Sequence, residues 1–81
     1  MIKVIAIAHH GPNHGPNGTK GAHWSAKAPG FEPRCYSRHE GDDYEDARRV
    51  AGEYARDVMS VQAPDILEVF SIGNHFIALL Q

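Results

Sequence analysis

Met1 to Ala8 is a short run rich in Ile and Val, apolar on both sides of a pleat, and predicts a first strand inside a sheet. From His9 to Gly21 the apolar rhythm vanishes into Gly, Pro, Asn and His, which predicts a long loop. Between Ala22 and Ala28, the positions Trp24, Ala26 and Ala28 alternate with His23, Ser25 and Lys27, giving a second strand with one wet face. Ala28-Pro29-Gly30-Phe31 carries Pro second and Gly third, the chemistry of a type II turn, so a hairpin follows. In the third strand the alternation points Cys35 inward and Arg34, Tyr36 and Arg38 outward.

The period then changes. Asp42 is placed to cap a helix with Glu45 three positions on, and Asp43 and Asp46 put negative charge at the positive end of its dipole. Ala47, Val50, Ala51, Tyr54, Ala55 and Val58 form one apolar stripe, opposite Arg48, Arg49, Glu53, Arg56 and Asp57. Val61 and Pro64 are expected to end the helix. Asp65 to Ser71 returns to a strand, Gly73-Asn74 supplies a two-residue turn of the II′ kind, and His75 to Leu80 runs back. The order β-β-β-α-β-β predicts an α+β fold: a single antiparallel sheet of about five strands with one amphipathic helix on one face, in a single domain over residues 1–81.

That architecture leaves a face to spare. A helix of about 16 residues is roughly 24 Å long and 10 Å wide, while five strands are some 24 Å across, so the helix shields one side only. Trp24, Ala26, Ala28 and Cys35 are expected beneath it. Strict alternation sets Ile66 and Phe70 against Leu67 and Val69, and Ile77 and Leu79 against Phe76, Ala78 and Leu80, so both sides of the last hairpin are apolar. The uncovered side therefore predicts an interface, with a homodimer or a bound macromolecule.

Composition narrows the class without naming a chemistry. Apolar residues at 42% and charged residues at 22% are ordinary for a globular domain, and no apolar run has the length of a membrane span. Met1 to Ile5 lacks the features of a signal peptide, and the one cysteine, Cys35, suits a reducing compartment, so the expected location is the cytoplasm. The net charge of −2 is unevenly spread: residues 1–41 carry five Lys/Arg and two acids (+3), and residues 42–81 carry three and eight (−5). The mildly acidic total disfavours nonspecific nucleic-acid binding.

The tandem His-Gly-Pro-Asn units at 10–17 invite three chemical readings. As a phosphate loop, Gly15 to Gly21 fails: Gly15 stands five positions before Lys20 instead of six, and Gly21 replaces the magnesium-binding hydroxyl. As a metal site, His9, His10, His14 and His23 offer imidazoles, but the chain lacks the paired cysteines of small structural zinc sites, and no metal or other cofactor is assigned. As turn chemistry, each unit presets φ at Pro and tolerates a left-handed Asn, the least demanding account.

Catalytic patterns are no stronger. Cys35 and His39 lie about 13 Å apart if both are on one strand, too far for a nucleophile and its base. The carboxylates Asp42, Asp43, Glu45 and Asp46 already have a role at a helix start, and the chain is read as non-enzymatic. His23, Ser25 and Lys27 beside Arg34, Tyr36 and Arg38 would form a basic patch with an aromatic, a surface of the kind that holds single-stranded nucleic acid, though with few charges and no run of aromatics.

The segment from Asp42 to Gln81, DDYEDARRVAGEYARDVMSVQAPDILEVFSIGNHFIALLQ, resembles the helix-then-hairpin ending of small phage-encoded inhibitors, notably some type I anti-CRISPR proteins. The likeness rests on element order and the Gly-Asn hairpin. It implies a stoichiometric binder in the host bacterium's cytoplasm that blocks a CRISPR-Cas effector complex or another defence protein by occupying a surface. Candidate contacts, chosen from the residues themselves, are His14, Lys20, Lys27, Arg34, Tyr36 and Arg38.

Overall fold

The computed structural model describes residues 1–10 and 23–81. It holds β1 (Lys3–His10), β2 (His23–Lys27), β3 (Arg34–Ser37), α1 (Asp43–Asp57), β4 (Ile66–Ile72) and β5 (His75–Leu80), in the expected order. The strands make one antiparallel sheet, β3-β2-β1-β5-β4, with β1 in the centre. The first strand runs two residues further than its Ile/Val content suggests, because His9 pairs with Trp24 and His10 with His23 across β2. Most of the long loop expected from residue 9 to residue 21 lies outside the described residues.

Both turns follow the local chemistry. The Phe31 N–H donates to the Ala28 carbonyl at 3.1 Å with Gly30 at φ 84°, as a type II turn requires. In the last hairpin Gly73 alone has positive φ, 57°, which is the II′ signature. Asp42 caps α1 by accepting from the Tyr44 N–H at 2.7 Å. The helix ends earlier than Pro64 would dictate: Ser60 turns left-handed at φ 62°, and the Val61 N–H reaches back to the Ala55 carbonyl at 2.9 Å.

The helical stripe meets one face of the sheet. Ile5, Ile7, Trp24, Ala26, Ala78 and Leu80 are buried against Ala47, Val50, Ala51, Tyr54 and Ala55, with Ile66, Val69 and Phe76 at the margin. Two polar groups cross this core fully partnered. Asp46, on the first turns of α1, accepts from Trp24 Nε1 at 2.6 Å, from the His39 N–H at 2.9 Å and from Arg49 Nε at 2.8 Å. The Tyr54 hydroxyl donates to the Glu32 carbonyl at 2.5 Å and accepts from the Ala28 N–H at 3.2 Å, tying α1 to the β2–β3 turn. Tyr54→Phe strands that buried N–H, so we expect a loss of about 1–3 kcal/mol, read as a lower urea midpoint at unchanged slope.

Candidate docking surface

Cross-strand partners in an antiparallel pair point to the same face, so the register decides which side chains share the side away from α1. Trp24 is opposite Tyr36 and Ala26 opposite Arg34, while Ser25 is opposite Cys35. Tyr36 and Arg34 therefore stand on the helix side, and Cys35 on the free side, the reverse of the expectation from alternation in β3. The reason is that a four-residue strand of mixed polarity, Arg-Cys-Tyr-Ser, has no strongly apolar face of its own. Its facing is imposed by Trp24, which must be buried.

The supposed basic patch is divided accordingly. Tyr36 donates its hydroxyl to Asp57 Oδ2 on α1 at 3.1 Å, and burial, with the neighbouring Asp57 carboxylate, raises its phenol well above the ordinary value. Arg38 gives both Nε and Nη2 to Asp43 Oδ1, at 3.1 and 2.5 Å. Lys27 alone of the four described candidates is on the free face, where its ammonium donates to the Ala28 carbonyl at 2.8 Å. His14 and Lys20 lie outside the described residues.

The histidines are divided by the same rule. His9 faces the helix side and meets Trp24 edge-on, with ring centroids 5.1 Å apart. His10 and His23 are directly opposite one another on the free side, their rings stacked at 5.0 Å, and His10 Nε2 lies 2.9 Å from Ser25 Oγ; His23 is fully buried, so the face of β2 expected to be wet is not wet at this end. This Ser25 contact is not visible in the sequence, because residues 10 and 25 become neighbours only through the β1–β2 register. Among the described residues no three His, Cys, Asp or Glu side chains converge as metal ligands. Cys35 and His39 are also parted: the His39 N–H is bonded to Asp46, and its Nδ1 lies 3.9 Å from that carboxylate.

What the free face does assemble is apolar. Val4 pairs with Leu79, Ala6 with Ile77, Phe70 with Ile77, and Ile72 with His75, which sets Val4, Ala6, Ala8, Ile77, Leu79, Phe70 and Ile72 on one side. Val4 is 39% and Ile72 60% exposed, so large apolar groups meet solvent here. β4 reaches this arrangement through an irregularity. Ile66 is opposite Leu80 and Glu68 opposite Leu79, so Leu67 is an extra residue bulged out of the ladder. The bulge turns both Ile66 and Val69 toward the helix and leaves Glu68, Phe70 and Ile72 on the free side, where strict alternation had put Ile66 with Phe70. At the foot of the sheet the surface continues into a groove of about 310 Å³ lined by Met1, Ile2, Lys3, Val4, Ala28, Pro29, Phe31 and Met59, all apolar but Lys3.

No protein-family model, curated protein or solved structure matches this chain. Among the described residues no helix is long and apolar enough to cross a membrane.

Proposed function

We propose that this chain is a non-enzymatic protein-binding module that docks through the sheet face its helix leaves uncovered. One observation carries the reading: Val4, Phe70, Ile72, Ile77 and Leu79 share that face, and no described strand or helix lies over them. Such a surface gains free energy whenever a partner removes it from water, at roughly 25 cal/mol for each Å² buried. The division of the basic residues weakens the nucleic-acid alternative, since Lys27 no longer shares a face with Arg34 and Tyr36.

The narrower proposal, inhibition of a bacterial CRISPR-Cas effector complex in the host cytoplasm, draws on the likeness of residues 42–81 to phage-encoded inhibitors. For that target the free face supplies the apolar contact and Lys27 a cation at its rim, while exposed Arg34 marks the β3 edge. Tyr36 and Arg38 act as fold contacts through Asp57 and Asp43.

Phe70→Asp and Ile77→Asp test both levels, because these side chains point away from the helix-side core. Wild-type protein is expected to co-purify with purified effector complexes and block target cleavage, and the two variants, folded by circular dichroism, to lose both properties. Binding by the variants at wild-type strength would remove the face from the proposal. Absence of binding to every effector type would remove the inhibitor reading.

A further inference from the structure

We infer that the free face receives a second copy of this chain, packed sheet to sheet about a twofold axis that runs along β1. The inference rests on the reading of this face as a protein-docking surface and names the occupant. Two independent features of the face favour that axis over the in-plane axis perpendicular to the strands.

The first is size. β1 is the central strand, and its contribution to the middle of the face is small: Ala6 and Ala8. On one side of it, β5 and β4 present Ile77, Leu79, Phe70 and Ile72. On the other, β2 and β3 present the small Ser25, Cys35 and Ser37, with Lys27 and His23 at the two ends of β2. A twofold along β1 exchanges left for right and keeps each cross-strand row in place, so Ile72 of each copy settles over Cys35 of the other, and Ile77 over the aliphatic stem of Lys27. Stacked sheets lie about 10 Å apart, a spacing that needs large side chains to interleave with small ones.

The second is charge. Among the described residues only two Asp, Glu, Lys or Arg side chains stand on this face, Lys27 on β2 and Glu68 on β4. They flank the apolar centre from opposite sides. Lys27 belongs to the row Lys27–Ala6–Ile77–Phe70 and Glu68 to the next row, Val4–Leu79–Glu68, one pleat repeat of roughly 7 Å along the strands. The same axis brings Glu68 of each copy over the half that carries Lys27 of the other, within reach of two long side chains, twice per dimer. An in-plane axis perpendicular to the strands does the opposite. It stacks large on large, Glu68 near Glu68 and Lys27 near Lys27, which is sterically and electrostatically unfavourable.

The face measures about 24 by 18 Å, roughly 430 Å² on each copy and about 860 Å² in all, below the roughly 1,200 Å² of stable interfaces and in the range of weak ones. The pair is therefore a concentration-dependent dimer, and any other target of this face competes with the second copy. Sedimentation of the full chain over about a hundredfold range of concentration should show the mass rising from monomer toward dimer. Glu68→Lys and Lys27→Glu should each weaken self-association about tenfold, by setting like charges across the interface, and the double exchange should restore it to within about threefold of wild type.

A dimer indifferent to both single reversals, or reversals not rescued by the exchange although all variants fold, would overturn this geometry. A wild-type chain monomeric throughout would overturn the second copy as occupant. In that last case anilinonaphthalene sulfonate separates the two levels. Dye bound by wild type and lost in Phe70→Asp leaves the docking reading standing with another partner, and no dye binding removes the docking reading as well.

Discussion

Replacing Asp46 with alanine is expected to destabilise the fold by about 3–5 kcal/mol, the range for removing one partner from a buried charged network. The carboxylate is 6% exposed and receives three N–H groups from three different segments: the Trp24 indole on β2, the His39 backbone after β3, and the Arg49 guanidinium on α1. Alanine leaves the indole and the backbone N–H without a partner and Arg49 with only its contacts to Glu53 and the Ser37 carbonyl. Burial alone would raise the Asp46 pKa, but Arg49, Trp24 and the His39 N–H outweigh it and hold the group below the usual carboxylate value.

The sign of the pH effect follows. Because the folded pKa is the lower one, ionised Asp46 contributes its full stabilisation above the unfolded value of about 3.9, and that contribution fades as pH falls toward and through the folded pKa. Urea melts at neutral pH and at successive steps below pH about 4 should show wild-type stability falling more steeply than that of the alanine variant. Parallel curves, or an alanine variant as stable as wild type at neutral pH, would show that the network contributes little.

Trp24→Ala is the other large effect, about 3–5 kcal/mol. Trp24 is fully buried, packs edge-on with His9 and Phe76, and lies beneath α1. A domain of this size has a total stability of roughly 4–12 kcal/mol, so the variant should be substantially unfolded on mild heating. Trp24→Phe separates ring from donor. It keeps most of the apolar burial and removes the bond to Asp46, with an expected cost of about 1–3 kcal/mol. Combined with Asp46→Ala, the phenylalanine change should cost clearly less than it does alone, because the indole bond is already gone. Circular dichroism must report these melts, since Trp24 is the single tryptophan. Strict additivity would mean that the 2.6 Å contact has no energetic weight.

The free face ties this architecture to the proposed function. Trp24, Asp46 and Tyr54 fasten the helix to one side of the sheet, so α1 is committed there and is not available to cover the other. Docking through the opposite side therefore requires no opening of the core.

The candidate site was only partly legible beforehand. The apolar character of Ile77 and Leu79 is written in the β5 alternation and survives intact. Phe70 and Ile72 owe their place beside them to the Leu67 bulge, which no period-of-two reading anticipates. The grouping of Lys27 with Arg34, Tyr36 and Arg38 failed for a related reason. Neighbouring strands share faces only through their register, and β3 takes its register from the burial of Trp24 on β2.

Residues acting on near neighbours were determined by the sequence itself. The stripe from Ala47 to Val58 specified α1, Asp42 capped it, and Gly30 and Gly73 set the two turns, because each choice depends on backbone torsions or on spacing within a few residues. Tertiary structure alone decided which face each polar strand shows, the bulge in β4, and the burial of Asp46 beneath Trp24. Those outcomes depend on groups 7 to 22 residues apart competing for a single core, and local periodicity carries no record of that competition.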